Sequence, residues 1–242
     1  MSKKALEMRR GVLFDVDGTL SDSSKLGFDA TVAVLEKNGH CAITMDDFHQ
    51  GTQYTTSARF SWHITGDTGD PIGEVLGREF DDMYVELVSK DTAAFYAGIK
   101  DMLQDIADAY PHAVYGALSN ACGEYVRRVC TANEVGQTFR VQLGADEVHK
   151  PKPFPDGLLQ CCASINLDPT HCMYIGDSPT DGQAARAANM PSIGVTWGSH
   201  AADKVRANFD VTVDTVADLG DAIRRVLETE MPMHVRRTEE HV

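Results

Sequence analysis

Short apolar runs, each closing on a small or acidic residue, recur along the chain: GVLFD (11–15), AVYGALS (113–119), VQLG (141–144), MYIGD (173–177), SIGV (192–195) and a weaker FDVTV (209–213). Between most of them the pattern changes to one suited to helices, in IKDMLQDIADAY (99–110), GEYVRRVCTAN (123–133), PDGLLQCCASI (155–165), PTDGQAARAAN (179–189) and VADLGDAIRRVLE (216–228). Strands that alternate with helices predict an α/β fold, a Rossmann-like parallel sheet flanked by helices. Sheets of that kind bind ligands at the carboxyl ends of their strands.

One segment breaks the alternation. From residue 22 to 92 no core strand is evident, and the helical candidates are GFDATVAVLEKNG, MDDFHQ and PIGEVLGREFDDMYVELVSKD. The expected organisation is an α/β core of residues 1–21 and 93–230, an inserted all-α domain of residues 22–92, and a flexible tail at 231–242. FYAG (95–98) reads as the return to the core, and Asp22, Ser23 and Ser24 read as the N-cap of the first inserted helix.

Composition narrows the possible partners. The chain has 242 residues, of which 43% are hydrophobic, enough for a sizeable core. Acidic residues outnumber basic ones by 36 to 22, a formal charge of −14, which disfavours nucleic acid and anionic membranes. An anionic substrate must therefore be attracted locally, by a metal or a well-placed lysine. Six cysteines without a CxxC pair fit a reducing compartment. The charged opening MSKKALEMRR and the lack of a long apolar run predict a cytoplasmic protein. A monomer or homodimer that acts on a small phosphorylated metabolite is expected as well.

That last expectation comes from the strand ends. Asp15, Asp17, Ser119, Lys152, Asp177 and Asp181 all fall at or just past them, where a parallel sheet would gather them. Together they offer a carboxylate nucleophile, a second carboxyl for acid–base work, a hydroxyl and an ammonium for phosphate oxygens, and carboxylates for a hard cation. Two competing readings stay open at this level. Lys150 stands beside Lys152 in HKPKP, and Asp181 suits a helix cap as well as a site.

Four stretches in this order resemble the haloacid dehalogenase superfamily: Asp15-Val16-Asp17-Gly18-Thr19 as DxDGT, Ser119-Asn120 at a strand end, Lys152-Pro153-Phe154-Pro155-Asp156 as KPxPD, and Gly176-Asp177-Ser178-Pro179-Thr180-Asp181 as GDSxxD. The resemblance favours Lys152 over Lys150. It implies a phosphatase in which Asp15 attacks phosphorus, Asp17 handles the proton, and Lys152 neutralises charge. Gly18, Thr19, Ser119, Asn120 and Lys152 would hold phosphoryl oxygens. Mg2+ would sit among Asp15, the Asp17 carbonyl and Asp177, while Asp181 would orient metal-bound water or Lys152.

An insertion directly after the first motif resembles the helical cap of the phosphoglycolate phosphatase and β-phosphoglucomutase branch. That resemblance makes phosphoglycolate the leading substrate, with a phosphomutase, a nucleotide or sugar phosphatase, or a catalytically silent scaffold as alternatives. Within GTQYTTSARFSWHITG (51–66), Tyr54, Arg59 and His63 are the side chains able to read the rest of the substrate, while Phe60 and Trp62 read as core.

Overall fold

The protein is described by a computed structural model that covers residues 9–228; the tail expected at 231–242 lies outside the described residues. Among the described residues there are six strands: β1 (Arg10–Phe14), β2 (Ala113–Leu118), β3 (Phe139–Leu143), β4 (Cys172–Gly176), β5 (Ser192–Val195) and β6 (Val211–Val213). They form one all-parallel sheet in the order β3-β2-β1-β4-β5-β6. Every strand expected from the sequence is there.

Alternation along β1 divides the core. Val12 and Phe14 face a layer formed by α5 (Ile99–Ala109), α6 (Gly123–Ala132) and α10 (Val216–Glu228), which supply Ile106, Tyr125, Val129 and Ile223. Leu13 faces the other layer, where α7 (Asp156–Ser164) and α8 (Pro179–Ala187) bring Leu158, Cys161 and Ala184. Successive strand side chains point to opposite faces, so a run that is apolar at every position must be covered on both. A short helix, α9 (Ala202–Arg206), was not expected; with Val205 as its one buried side chain it has no periodic signal.

Between β1 and α5 lie four helices: α1 (Ser24–Lys37), α2 (Met45–Gly51), α3 (Thr56–Thr65) and α4 (Ile72–Leu87). Helix α2 is fixed by a capping box in which Thr44 and Asp47 satisfy each other's backbone amides. Helix α3 is absent from the sequence expectation because its buried residues, Arg59, Phe60 and Ser61, are consecutive and two of them are polar. No apolar stripe results. It is held by close packing on α4: a Cβ on Gly73 would lie 2.0 Å from the Ser57 carbonyl oxygen and 2.1 Å from Ser61 Oγ. Phe60 is fully buried against Phe80, as expected, whereas Trp62 is only half-buried, beside Tyr54 and His63.

The two chain segments flanking these helices run side by side. The Asp22 amide donates to the Ala94 carbonyl (2.8 Å), the Tyr96 amide to the Leu20 carbonyl (2.9 Å), and Ser21 Oγ to the Ala93 carbonyl (3.0 Å). Ser23 occupies the N-cap position of α1 but makes no capping bond, a departure from the expected role. Its hydroxyl points instead at Asp17.

Candidate active site

Register explains the gathering of the motif residues. Phe14 of β1 pairs with Ala117 of β2 and Ile175 of β4, so Asp15, Ser119 and Asp177 emerge together at one end of the sheet. Strand order reverses at the β1/β4 pair, which is where such sheets open a crevice. The loop after β3 brings Lys152 to the same place. Gly18 has φ +77°, and a Cβ there would lie 2.4 Å from Asp177 Oδ2; one on Gly198 would lie 2.2 Å from the same oxygen. Two glycines thus let the Asp177 carboxylate nest between loops.

Lys152 is the hub. Only 7% exposed, it donates from Nζ to Asp15 Oδ1 (2.6 Å), Asp181 Oδ1 (2.7 Å) and Tyr174 Oη (3.1 Å). Burial opposes its charge, but Asp15 and Asp181 outweigh that, and the ammonium is held above its ordinary range. The Asn120 carboxamide clasps the Lys152 backbone, accepting from its amide and donating to its carbonyl, both at 3.0 Å. Any phosphoryl contact from residue 120 therefore falls to its backbone. Thr19 Oγ1 donates to Asp15 Oδ2 (3.2 Å), and the Gly18 amide is bonded to the Ser21 carbonyl (2.9 Å), so these two residues shape the loop that follows Asp15.

Asp181 makes contacts in two directions. Its Oδ1 holds Lys152, while its Oδ2 accepts from the Ser178 amide (3.0 Å) and hydroxyl (2.8 Å), closing a capping box on α8. Burial, then the charge of Asp181, pushes the Asp15 carboxyl well above its usual range, with Lys152 offsetting only part. Oxygens of Asp15, Asp177 and Asp181 lie within 4.8 Å of one another, all buried. Three buried carboxylates against one ammonium leave negative charge uncompensated, and hard oxygen donors of this kind suit a hard divalent cation. Asp15 and Asp177 belong to the set expected around a metal, and Asp181 is the third side chain of this cluster.

A cavity of about 90 Å³ opens onto Asp15, Asp17, Ser119 and Lys152 and extends beneath α3 and α4 to Tyr54 and Arg59. Arg59 is 8% exposed, and its Nε and Nη2 are buried with no hydrogen-bond partner. Instead the rings of Phe80 (4.6 Å), Phe48 (5.1 Å) and Phe60 (5.7 Å) surround the guanidinium. His63 is not on this cavity; it packs over Gly51, and burial together with Arg59 pulls it down to about 4.

A family model described as haloacid dehalogenase-like hydrolase matches residues 12–195. The chain belongs to this family. Among haloacid dehalogenase-like relatives, the phosphoglycolate phosphatase of Xanthomonas campestris pv. campestris (strain 8004) is 32% identical over 200 residues, covering 80% of this chain and 86% of the relative. The phosphoglycolate phosphatase of Escherichia coli (strain K12) is 29% identical over 240 residues, covering 88% and 92%. A crystal structure of a haloacid dehalogenase-like hydrolase from Bacteroides fragilis superposes with a TM-score of 0.78 at 26% identity, over 88% of this chain and all of that one. In enzyme class this haloacid dehalogenase-like chain is a phosphoric monoester hydrolase.

Several side chains of the site fall outside the haloacid dehalogenase motifs and were missed in the sequence. Tyr174 Oη bridges Lys152, Asp181 and the Leu118 carbonyl. The Ser199 amide donates to Asp177 Oδ2 (2.7 Å), with His200 beside it. Ser23, Tyr84 and Tyr125 converge on Asp17. An alternation rule would have flagged Tyr174, a polar-tipped residue inside an apolar strand. Nothing in the spacing of Ser23, Tyr84 or Tyr125 points to Asp17.

Proposed function

We propose that this chain is a magnesium-dependent phosphatase that hydrolyses a small phosphomonoester, phosphoglycolate first among the candidates, through an aspartyl phosphate on Asp15. The observation that carries this reading is Lys152 Nζ, fixed 2.6 Å from Asp15 at the floor of a cavity that Asp17 and Ser119 share. In the first step Asp15 forms a bond to phosphorus while the ester P–O bond breaks, and Asp17 gives its proton to the departing oxygen. In the second, water attacks the phosphoaspartate, Asp17 takes a proton back, and phosphate leaves with Asp15 restored. Lys152 and Ser119 hold the phosphoryl oxygens. Asp15 and Asp177, with the Asp17 carbonyl, would hold Mg2+, whose contribution is to neutralise charge on the transferring group.

Helices α1–α4 are read as a cap, residues 22–92, that covers the leaving group and keeps bulk water out. Arg59 supports a substrate with a second anionic group. A buried guanidinium without a carboxylate partner is costly, and a ligand carboxylate would satisfy Nε and Nη2 together. Tyr54 lines the same cavity and is read as its companion in contacting the substrate. We assign the protein to the cytoplasm, acting on a small metabolite rather than a polymer or membrane; among the described residues no helix is long and apolar enough to cross one. The test is phosphate release from a panel of phosphorylated metabolites with Mg2+ and with EDTA. Phosphoglycolate is expected at or near the top, with activity lost in chelator. Failure to hydrolyse any monoester, or full activity in EDTA, would overturn the reading.

A further inference from the structure

The Asp17 carboxylate is held from outside its own motif. Tyr84 on α4 and Tyr125 on α6 lie ring on ring, with centroids 4.1 Å apart and planes 13° from parallel. Their hydroxyls are 2.9 Å apart. Tyr84 Oη stands 3.2 Å from Asp17 Oδ1, and Tyr125 Oη donates to the same oxygen in a short hydrogen bond. A phenol has one proton to give. Tyr125 gives its proton to Asp17, and Tyr84 shares its own between Tyr125 and Asp17.

The two oxygens of Asp17 are treated differently. Oδ1 receives Ser23 Oγ (2.5 Å) in addition to the two phenols, more donors than its lone pairs can fully serve. Oδ2 receives only Ser119 Oγ (3.1 Å) among the described residues, which leaves a lone pair for the reaction. Both rings are buried, and burial followed by the charge of Asp17 raises both phenols well above their ordinary range, so both remain donors. The pair also bridges two parts of the chain. Tyr84 comes from the helices inserted after β1 and Tyr125 from the layer on the sheet, and Tyr84 continues a column of rings through Phe80 to Arg59.

We propose that the Tyr84–Tyr125 pair positions Asp17, turning Oδ2 toward the leaving oxygen and making that orientation depend on α4 being seated against α6. The proposal rests on Asp17 being the acid–base group of the reading above. Both tyrosines are positioning residues, since each acts through Asp17 Oδ1.

The experiment follows p-nitrophenyl phosphate in rapid mixing with Mg2+. Release of p-nitrophenolate needs no proton from Asp17, whereas hydrolysis of the phosphoaspartate needs Asp17 as base. Tyr125→Phe is expected to leave the burst rate and kcat/KM within about 3-fold of wild type while slowing the steady state by about 10- to 100-fold, with KM falling in step and Tyr84→Phe acting in the same direction but less. In an Asp17→Asn background, Tyr125→Phe should add less than about 2-fold. Burst and steady state falling together, an unchanged steady state, or a full additional loss in the Asp17→Asn background would overturn the positioning role. If Asp17→Asn itself fails to separate the two phases, the acid–base reading falls and the proposal with it. Should Tyr125→Phe not fold, Tyr84→Phe decides by the same readouts.

Discussion

A lysine buried between two aspartates is the residue-level fact on which the chemistry turns. Lys152 is kept charged by Asp15 and Asp181, and in turn it holds the Asp15 carboxylate in place. Asp15→Asn matches the shape but cannot attack phosphorus, so steady-state turnover should fall by at least about 1000-fold with the thermal midpoint little changed. Residual turnover in a contamination-free preparation would remove Asp15 as the nucleophile. Arg59 offers a cleaner test of specificity. Arg59→Met keeps most of the packing among Phe48, Phe60 and Phe80 but removes the charge. Loss of a desolvated guanidinium–carboxylate contact should cost about 2–4 kcal/mol, or roughly 30- to 1000-fold in kcat/KM on phosphoglycolate. Hydrolysis of p-nitrophenyl phosphate should barely change; an equal fall on both would make Arg59 a residue of the fold. The motif residues were legible because their chemistry is tied to fixed local spacing. Tyr84 and Tyr125 were not, because their partner Asp17 is distant along the chain, and Ser23, six residues from Asp17, has the residue type and place of an ordinary helix cap.

At the scale of elements, the helices after β1 depend on two close contacts that are testable without assaying activity. Gly73 of α4 admits the backbone of α3, and the Cβ introduced by Gly73→Ala would collide with the Ser57 carbonyl oxygen. Such overpacking should destabilise the protein by about 1–3 kcal/mol in urea unfolding. A change below a few tenths would mean that α3 and α4 adjust freely. His63 tests the packing of α3 on α2. Burial, and then Arg59, lower it to about 4, whereas an unfolded histidine titrates near 6.5. Between those values the unfolded chain binds a proton that the folded chain does not, so His63 withdraws stability as pH falls from about 6.5 toward 4. Asp81, raised to about 6 chiefly by burial, works in the opposite direction in the same window. Comparing wild type with His63→Gln isolates the histidine: the variant should gain on wild type between pH 7 and pH 5. A constant difference would mean that His63 titrates freely.

Across the whole molecule, the site exists only because separate strands end together and a helical segment folds over them. A bound divalent cation should stabilise the folded state in proportion to its occupancy, by about 2.7 kcal/mol at a hundredfold excess over its dissociation constant. Mg2+ should therefore raise the thermal midpoint of wild type, EDTA should reverse the rise, and Asp177→Asn should abolish it; a rise that persists in Asp177→Asn would place the ion elsewhere. The sequence by itself determined the sheet, because strands buried on both faces are apolar at every position. It also determined the longer helices on either side, α9 excepted, and the set of carboxylates, hydroxyl and lysine that sits at the strand ends in recognisable local patterns. Helix α3 escaped it, because Arg59 and Ser61 on the buried face erase the apolar stripe by which a helix is recognised. The tertiary structure alone decided that Asp181 caps α8 and grips Lys152 at once, that Arg59 is buried facing the cavity while His63 is not, and that two tyrosines from different layers meet on Asp17. The physical reason is reach: local spacing fixes which face of an element a residue occupies, but a contact between elements depends on how they pack, and that is settled only when the entire core is formed.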